Sequence, residues 1–234
     1  MKSKIAVIVF IYFFVLSAFL LATVVGSRAV TAIAENRPTG KQHVIVIDAG
    51  HGGIDGGATS CSGVLESKLN LEIALRLDDL MHLLGYDTRM IRTTDTSIHV
   101  QGNTIASQKI SDLKERVKIV NSQDAGILIS IHQNTFSDSR YSGAQVFYAE
   151  NKSSQELAKH IQDALILGLN PTSNRQIKKA DGIYLLEHIQ KTGILIECGF
   201  LSNPEEERKL RSTDYQKNLC CVIGVTLANY LANT

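Results

Sequence analysis

Apolar residues recur along this chain in three rhythms, and each predicts a different kind of element. The first is an uncharged stretch from Ile5 to Gly26, preceded by Lys2 and Lys4 and closed by Ser27 and Arg28. At about 1.5 Å rise per residue it is long enough to cross a bilayer core of about 30 Å. The second is a set of short β-branched blocks, Val44 to Ile47, Ile127 to Ile131 and Ile194 to Ile196. They do not alternate with polar residues, the signature of strands buried on both faces of a parallel sheet. Tyr86 to Arg92 and Ala144 to Tyr148 read as further strands. The third rhythm has spacings of three and four: Leu69, Ile73, Leu77, Leu80 and Leu84 mark a helix that Gly85 stops.

Cap signals predict the remaining helices. Asp112 with Glu115 reads as a capping box, followed by Val117 and Val120 on an apolar face. Ser153 with Glu156 opens another helix, ended by Asn170-Pro171. Asn203-Pro204 before three glutamates reads as an N-cap, a first-turn proline and a turn matched to the helix dipole. A last helix spans about Asp214 to Leu231. Strands alternating with helices predict one α/β domain with a mostly parallel central sheet flanked by helices. The expected organisation is a transmembrane or signal segment over 1–28, a linker over 29–42 and the folded domain over 43–234.

Charge and composition narrow the function classes. The 234 residues suit one good-sized domain and carry no internal repeat. Net charge is +1 with basic residues scattered, which argues against a nucleic-acid partner, since phosphate contacts need a basic stripe. The leading lysines predict export of the rest of the chain. The apolar length favours an uncleaved anchor, whereas Ala32-Ile33-Ala34 resembles a signal cleavage site. Of four cysteines, Cys198 reads as a core residue, Cys220 and Cys221 as helix neighbours on different faces, and only Cys61 as free to react. No added module is expected after the last helix.

Each buried block leads into polar groups. The first runs into Asp48-Ala49-Gly50-His51-Gly52-Gly53, the second into His132-Gln133-Asn134, the third into Glu197-Cys198-Gly199. Ligands of open parallel sheets bind beyond the carboxyl ends of the strands, so two histidines and a glutamate converge on one edge. Each histidine alone could merely satisfy the backbone; together they point to a metal, imidazole being a common zinc ligand. A hydrolytic zinc keeps three protein ligands and one open position. Glu66, at the start of the first helix, could supply the third ligand or simply sit on the helix dipole. Asp55 and Cys61 are rivals on the same loop.

The run from Asp48 through Ala58, then Glu66, then Ser130 to Asn134, then Ile196 to Asn203 closely resembles the zinc-dependent N-acetylmuramoyl-L-alanine amidases. The resemblance covers nearly everything from Val44 onward, in order and at family spacing. It implies that His51, Glu66 and His132 hold zinc and that Glu197 is the catalytic glutamate. It also implies the substrate, the amide between the lactyl group of N-acetylmuramic acid and L-alanine in peptidoglycan. Zinc so held lowers the pKa of a water from about 15.7 toward about 7, and Glu197 takes its proton and returns it to the leaving amine. Arg116 and Asn121 match family positions and are expected in packing or site support. Gln133 stands where relatives often carry a small residue and is expected to border the site.

The stretch from Phe136 to Ala144 is short and Ser153 to Gly168 reads as an ordinary helix, so no built-in acidic plug is expected. A lone catalytic domain behind an N-terminal anchor is most like the germination-specific amidases of spore-forming bacteria, which prepare spore cortex for muramic δ-lactam formation. Control would then come from timing of synthesis or from an accessory protein. Rival readings are a vegetative wall amidase, an exported zinc carboxypeptidase acting on stem peptides, a degenerate amidase that only binds wall, and a membrane-anchored scaffold.

Overall fold

The computed structural model describes residues 43–124 and 126–234, all within the unit Gly40–Thr234. The expected anchor or signal segment (1–28) and linker (29–42) lie outside the described residues. Among the described residues no helix is long and apolar enough to cross a membrane.

The elements run β1 (Val44–Ala49), α1 (Glu66–Leu83), β2 (Asp87–Met90), α2 (Ile105–Asn121), β3 (Gly126–Asn134), β4 (Gln145–Tyr148), α3 (Lys152–Leu169), β5 (Lys178–Lys179), α4 (Tyr184–His188), β6 (Thr192–Phe200), α5 (Pro204–Leu210) and α6 (Thr213–Ala232). They form the expected α/β domain around one six-stranded sheet, order β2-β1-β3-β6-β4-β5. Pairs β1·β2, β1·β3, β3·β6 and β4·β5 are parallel, and β4·β6 is antiparallel. The link from β3 to β4 contains no helix and stays at one sheet edge, so β4 returns antiparallel.

The three central strands bury both faces, but differently. Ile45, Ile47, Ile127, Ile129, Ile131, Ile194 and Ile196 pack with Ile73 and Leu77 of α1, Leu157 and Ile161 of α3, and Ile223 and Leu227 of α6. The opposite face begins with Val46, Leu128 and Leu195, covered by Val120 of α2 and by Leu185 and Leu186 of α4. Further along, that second face turns polar: Asp48 lies beside Ser130, and His132 beside Glu197. Register is therefore tied to chemistry. A one-residue slip of β3 or β6 would turn His132 or Glu197 into the isoleucine face, at a cost of roughly 1.5–3 kcal/mol for each large apolar side chain displaced.

Several boundaries differ from expectation. α2 begins seven residues before the predicted box at Asp112, because Thr104 and Ser107 form the real capping box. Asp112 sits mid-helix, where its carboxylate accepts from Ser97 Oγ (2.8 Å) and the Ile98 N–H (2.7 Å) and pairs with Arg116. α3 is capped by Asn151, which accepts from the Ser154 N–H, rather than by Ser153. The Asn203 cap and the last helix match the prediction. All four cysteines are free; Cys221 is exposed like Cys61, so Cys61 is not alone in accessibility.

Candidate active site at the carboxyl edge of the sheet

His51 follows β1 by two residues and adopts a left-handed backbone, φ +62°. For a residue with a Cβ this costs about 1–3 kcal/mol, so something must hold it. Two buried guanidiniums do. Arg116 donates to the carbonyls of His51 (2.7 Å) and Ala49 (3.1 Å) while pairing with Asp48 and Asp112. Arg92 donates to the carbonyls of Ala49 (2.8 Å), Gly50 (3.0 Å) and, on α1, Ser67 (2.8 Å). Hydrogen bonds to charged groups contribute about 1.5–3 kcal/mol each, enough to offset the strain. Burial alone would raise the Asp48 carboxyl, but the charges of Arg116 and His132, with hydrogen bonds from Ser130 and Arg116, hold it below its ordinary range.

Two glycines make room for the side chains. A Cβ on Gly50 would lie 2.1 Å from His132 Nε2, so only glycine admits that ring. Gly57 has φ +67°, and a Cβ there would lie 2.5 Å from Glu66 Oε2 and 2.7 Å from His51 Cδ2.

Glu66 opens α1, and its carboxylate turns back into the loop. It accepts from the N–H groups of Ala58 (2.9 Å) and Gln133 (3.1 Å) and from Asn70 Nδ2 (3.2 Å). One oxygen faces His51 Nε2 at 3.3 Å and the other His132 Nδ1 at 3.0 Å. The donor atoms of His51, Glu66 and His132 lie within 4.8 Å of one another and could hold a metal ion. Asp55 Oδ2 lies 2.9 Å from His51 Nδ1, which leaves Nε2 turned toward Glu66, and Lys109 of α2 pairs with Asp55 at 2.7 Å. Burial would raise the Glu66 carboxyl, but hydrogen bonds from and the charges of His132 and His51 hold it well below the usual carboxylate range. Burial would depress His51, yet the hydrogen bond to and charge of Glu66, then of Asp55, push it up to about 9. The cluster is built to stabilise positive charge.

Glu197 pairs with His132 across β3 and β6, at a bulge where the register shifts before Asn134 meets Phe200. Its Oε2 is buried with no hydrogen-bond partner among the described residues. Burial pushes its pKa up to about 7, with the charge of His132 opposing, that of Glu66 adding and that of His51 opposing. A carboxyl so placed can both accept and return a proton near neutrality. His51, His132 and Glu197 line a cavity of about 330 Å³ whose other wall includes Ile54, Leu113, Ile183, Tyr184 and Leu195.

The structure thus brings His51, Glu66, His132 and Glu197 together. Cys61 is exposed and bonded through its N–H to the Leu201 carbonyl, outside the cluster. Gln133 does not border the cavity: alternation turns its side chain into the interior, where Nε2 donates to Asn70 (3.2 Å). Arg116 supports the site, as expected. Asn121 serves packing, bracing α2 against the end of α4 through the His188 carbonyl and the Gln190 N–H. Sequence reasoning missed Asn70, Arg92 and Lys109. Asn70 was within reach, four residues after Glu66 on one helix face; Lys109 carried no local signal.

Comparison with known proteins gives a consistent picture. The family model described as N-acetylmuramoyl-L-alanine amidase matches residues 45–228. The germination-specific N-acetylmuramoyl-L-alanine amidase of Bacillus subtilis (strain 168) is 40% identical over 192 residues, 80% of this chain and 79% of that protein. Among solved structures, the CwlD amidase of Clostridioides difficile, in complex with the GerS lipoprotein, is 38% identical with a TM-score of 0.78, over 82% of this chain and 99% of that one. An N-acetylmuramoyl-L-alanine amidase from Clostridium difficile 630 is 29% identical with a TM-score of 0.71, over 82% and 98% of the two chains.

Proposed function

This chain belongs to the N-acetylmuramoyl-L-alanine amidase family and is an amidase acting on peptidoglycan, and from that premise we propose that it is zinc-dependent and works in spore cortex maturation. The observation that carries the zinc reading is the donor set: two imidazoles and one carboxylate with donor atoms within 4.8 Å, beside a buried carboxylate with an unpartnered oxygen. Catalytic zinc sites commonly use such a set and leave one position open. His51, Glu66 and His132 would hold the ion, and Glu197 is the catalytic group. When bound, zinc supplies a Lewis acid for the scissile carbonyl and lowers the pKa of water.

The remaining work falls to the chain's own side chains. Glu197 accepts the proton of the attacking water as the new carbon–oxygen bond forms. It then delivers that proton to the L-alanine nitrogen as the carbon–nitrogen bond breaks. Ile54, Leu113, Ile183 and Leu195 give the cavity an apolar wall opposite these groups. Asp55 fixes the orientation of His51. Removing such an outer carboxylate typically costs about 10–100-fold in metal affinity. Asp55→Ala is therefore expected to weaken zinc binding by about that factor, read by competition with a chromophoric chelator. Unchanged affinity would remove Asp55 from the site.

The cortex role draws on the likeness to a germination-specific relative. With it go export across the cytoplasmic membrane, retention by the N-terminal segment or release after cleavage, and an accessory protein, as the Clostridioides difficile amidase has a lipoprotein. A spore-former lacking this chain is expected to make spores whose cortex contains no muramic δ-lactam and which germinate poorly. Normal lactam content in those spores would move the enzyme to vegetative wall turnover.

A further inference from the structure

A second hollow, of about 570 Å³, opens on the protein, lined by Asp138, Arg140, Tyr141, Asn170, Asn174 and Arg175 among others. The chemistry at Glu197 makes no use of it. Its walls are the link between β3 and β4 and the segment between α3 and β5. β4 runs antiparallel to β6 and β5 parallel to β4, so both begin at the sheet edge where β1, β3 and β6 end. The hollow therefore shares an edge with the active site. Gln145 pairs in register with Glu197, and its Oε1 accepts from Arg175 Nη1 at 3.4 Å. Gln145 is thus the strand neighbour of Glu197 and touches Arg175 in the wall of the hollow.

Tyr141 and Arg175 line the hollow and belong to one aromatic run. Phe136 lies two residues beyond β3, its ring 4.6 Å from that of Tyr141. Tyr141 lies 6.2 Å from Phe200, and the Arg175 guanidinium sits 4.7 Å over the Phe200 ring. Arg175 is further fixed by donating to the Ser142 carbonyl at 2.7 Å. Yet Phe136 and Tyr141 remain 51% and 47% exposed. A half-open tyrosine ring beside a preorganised guanidinium and two amides offers a ligand both stacking and hydrogen bonding.

We propose that this hollow is a subsite for the glycan strand of peptidoglycan, adjoining the position of the scissile bond. A pyranose ring offers an apolar C–H face, which suits an aromatic ring, and a rim of hydroxyl and acetamido groups, which suits Asn170, Asn174 and Arg175. Asp138 neutralises Arg140, so the lining is less cationic than its two arginines suggest. That favours an uncharged sugar rim over the carboxylates of a stem peptide. The identity of the polymer rests on the amidase reading; the presence of a sugar site does not.

The test uses the full chain and a peptide-free oligosaccharide of alternating N-acetylglucosamine and N-acetylmuramic acid, with binding followed by calorimetry. The wild type is expected to bind it. Tyr141→Ala should weaken binding about 3- to 10-fold, the size of one aromatic contact, and Tyr141→Phe should restore it. Arg175→Gln should weaken it as well. In turnover, Tyr141→Ala should lower the ratio of kcat/KM on long glycan strands to that on a monomeric muramoyl dipeptide by the same factor, through KM. No binding by the wild type, equal binding by all variants, or displacement by free stem peptide instead of sugar would overturn the proposal. Sugar binding without turnover of either substrate would count against the amidase reading and leave the subsite standing.

Discussion

Glu197→Gln is expected to remove turnover by about 10²–10⁴-fold while zinc content and melting temperature stay at wild-type values. The geometry separates this group from the metal cluster: His51, Glu66 and His132 bring their donor atoms together, and Glu197 is not among them. Its Oε2 instead lies buried and without a hydrogen-bond partner among the described residues. A glutamine fills nearly the same space, and a neutral amide is easier to bury here than a carboxylate that burial already pushes up to about 7. Stability should therefore not fall. A loss of that size with intact metal content is too large to blame on partial misfolding. Near wild-type activity in this variant would sink the assignment of the base.

Glu66→Gln should do the reverse and lose the metal. The Glu66 carboxylate is held ionised between the two imidazoles and accepts from two main-chain N–H groups and Asn70. An amide at that position takes charge away from the ion and turns a donor toward the N–H of Ala58 or Gln133. A buried donor left without an acceptor costs about 1–3 kcal/mol, so the melting temperature should fall as well. Zinc content well below one per chain, with loss of activity, is the expected result. If Glu66→Gln keeps zinc and Glu197→Gln loses it, the two roles are exchanged.

How far the sequence carried this picture depended on whether a signal was local. The three isoleucine- and valine-rich blocks revealed β1, β3 and β6 because burial on two faces leaves an unbroken apolar run. Their polar ends revealed the site because parallel strands finish at one edge. The strands run further than the blocks, however, so His132 and Glu197 lie within β3 and β6 rather than beyond them. Asp112 misled because a carboxylate three residues before a glutamate resembles a cap. Its partners, Ser97, Ile98 and Arg116, are mostly tertiary and leave no trace in spacing. Gln133 was misplaced because its neighbour His132 faces the cavity, and alternation sends the next residue to the other side. β5 and α4 are too short for any periodicity to show. The clamp of Arg92 and Arg116 on three successive carbonyls becomes visible only once the chain is folded.

The central claim is that zinc on His51, Glu66 and His132, with Glu197 as base, hydrolyses the muramoyl–L-alanine amide. It is tested most directly by incubating the purified chain with peptidoglycan, with a chelator and after zinc is restored, and identifying the products by mass spectrometry. Peptide-free glycan together with peptides carrying a free L-alanine amine is the expected outcome, absent under chelation and recovered with zinc. Full turnover by metal-free protein, or intact muramoyl–alanine links with shortened stems, would contradict it.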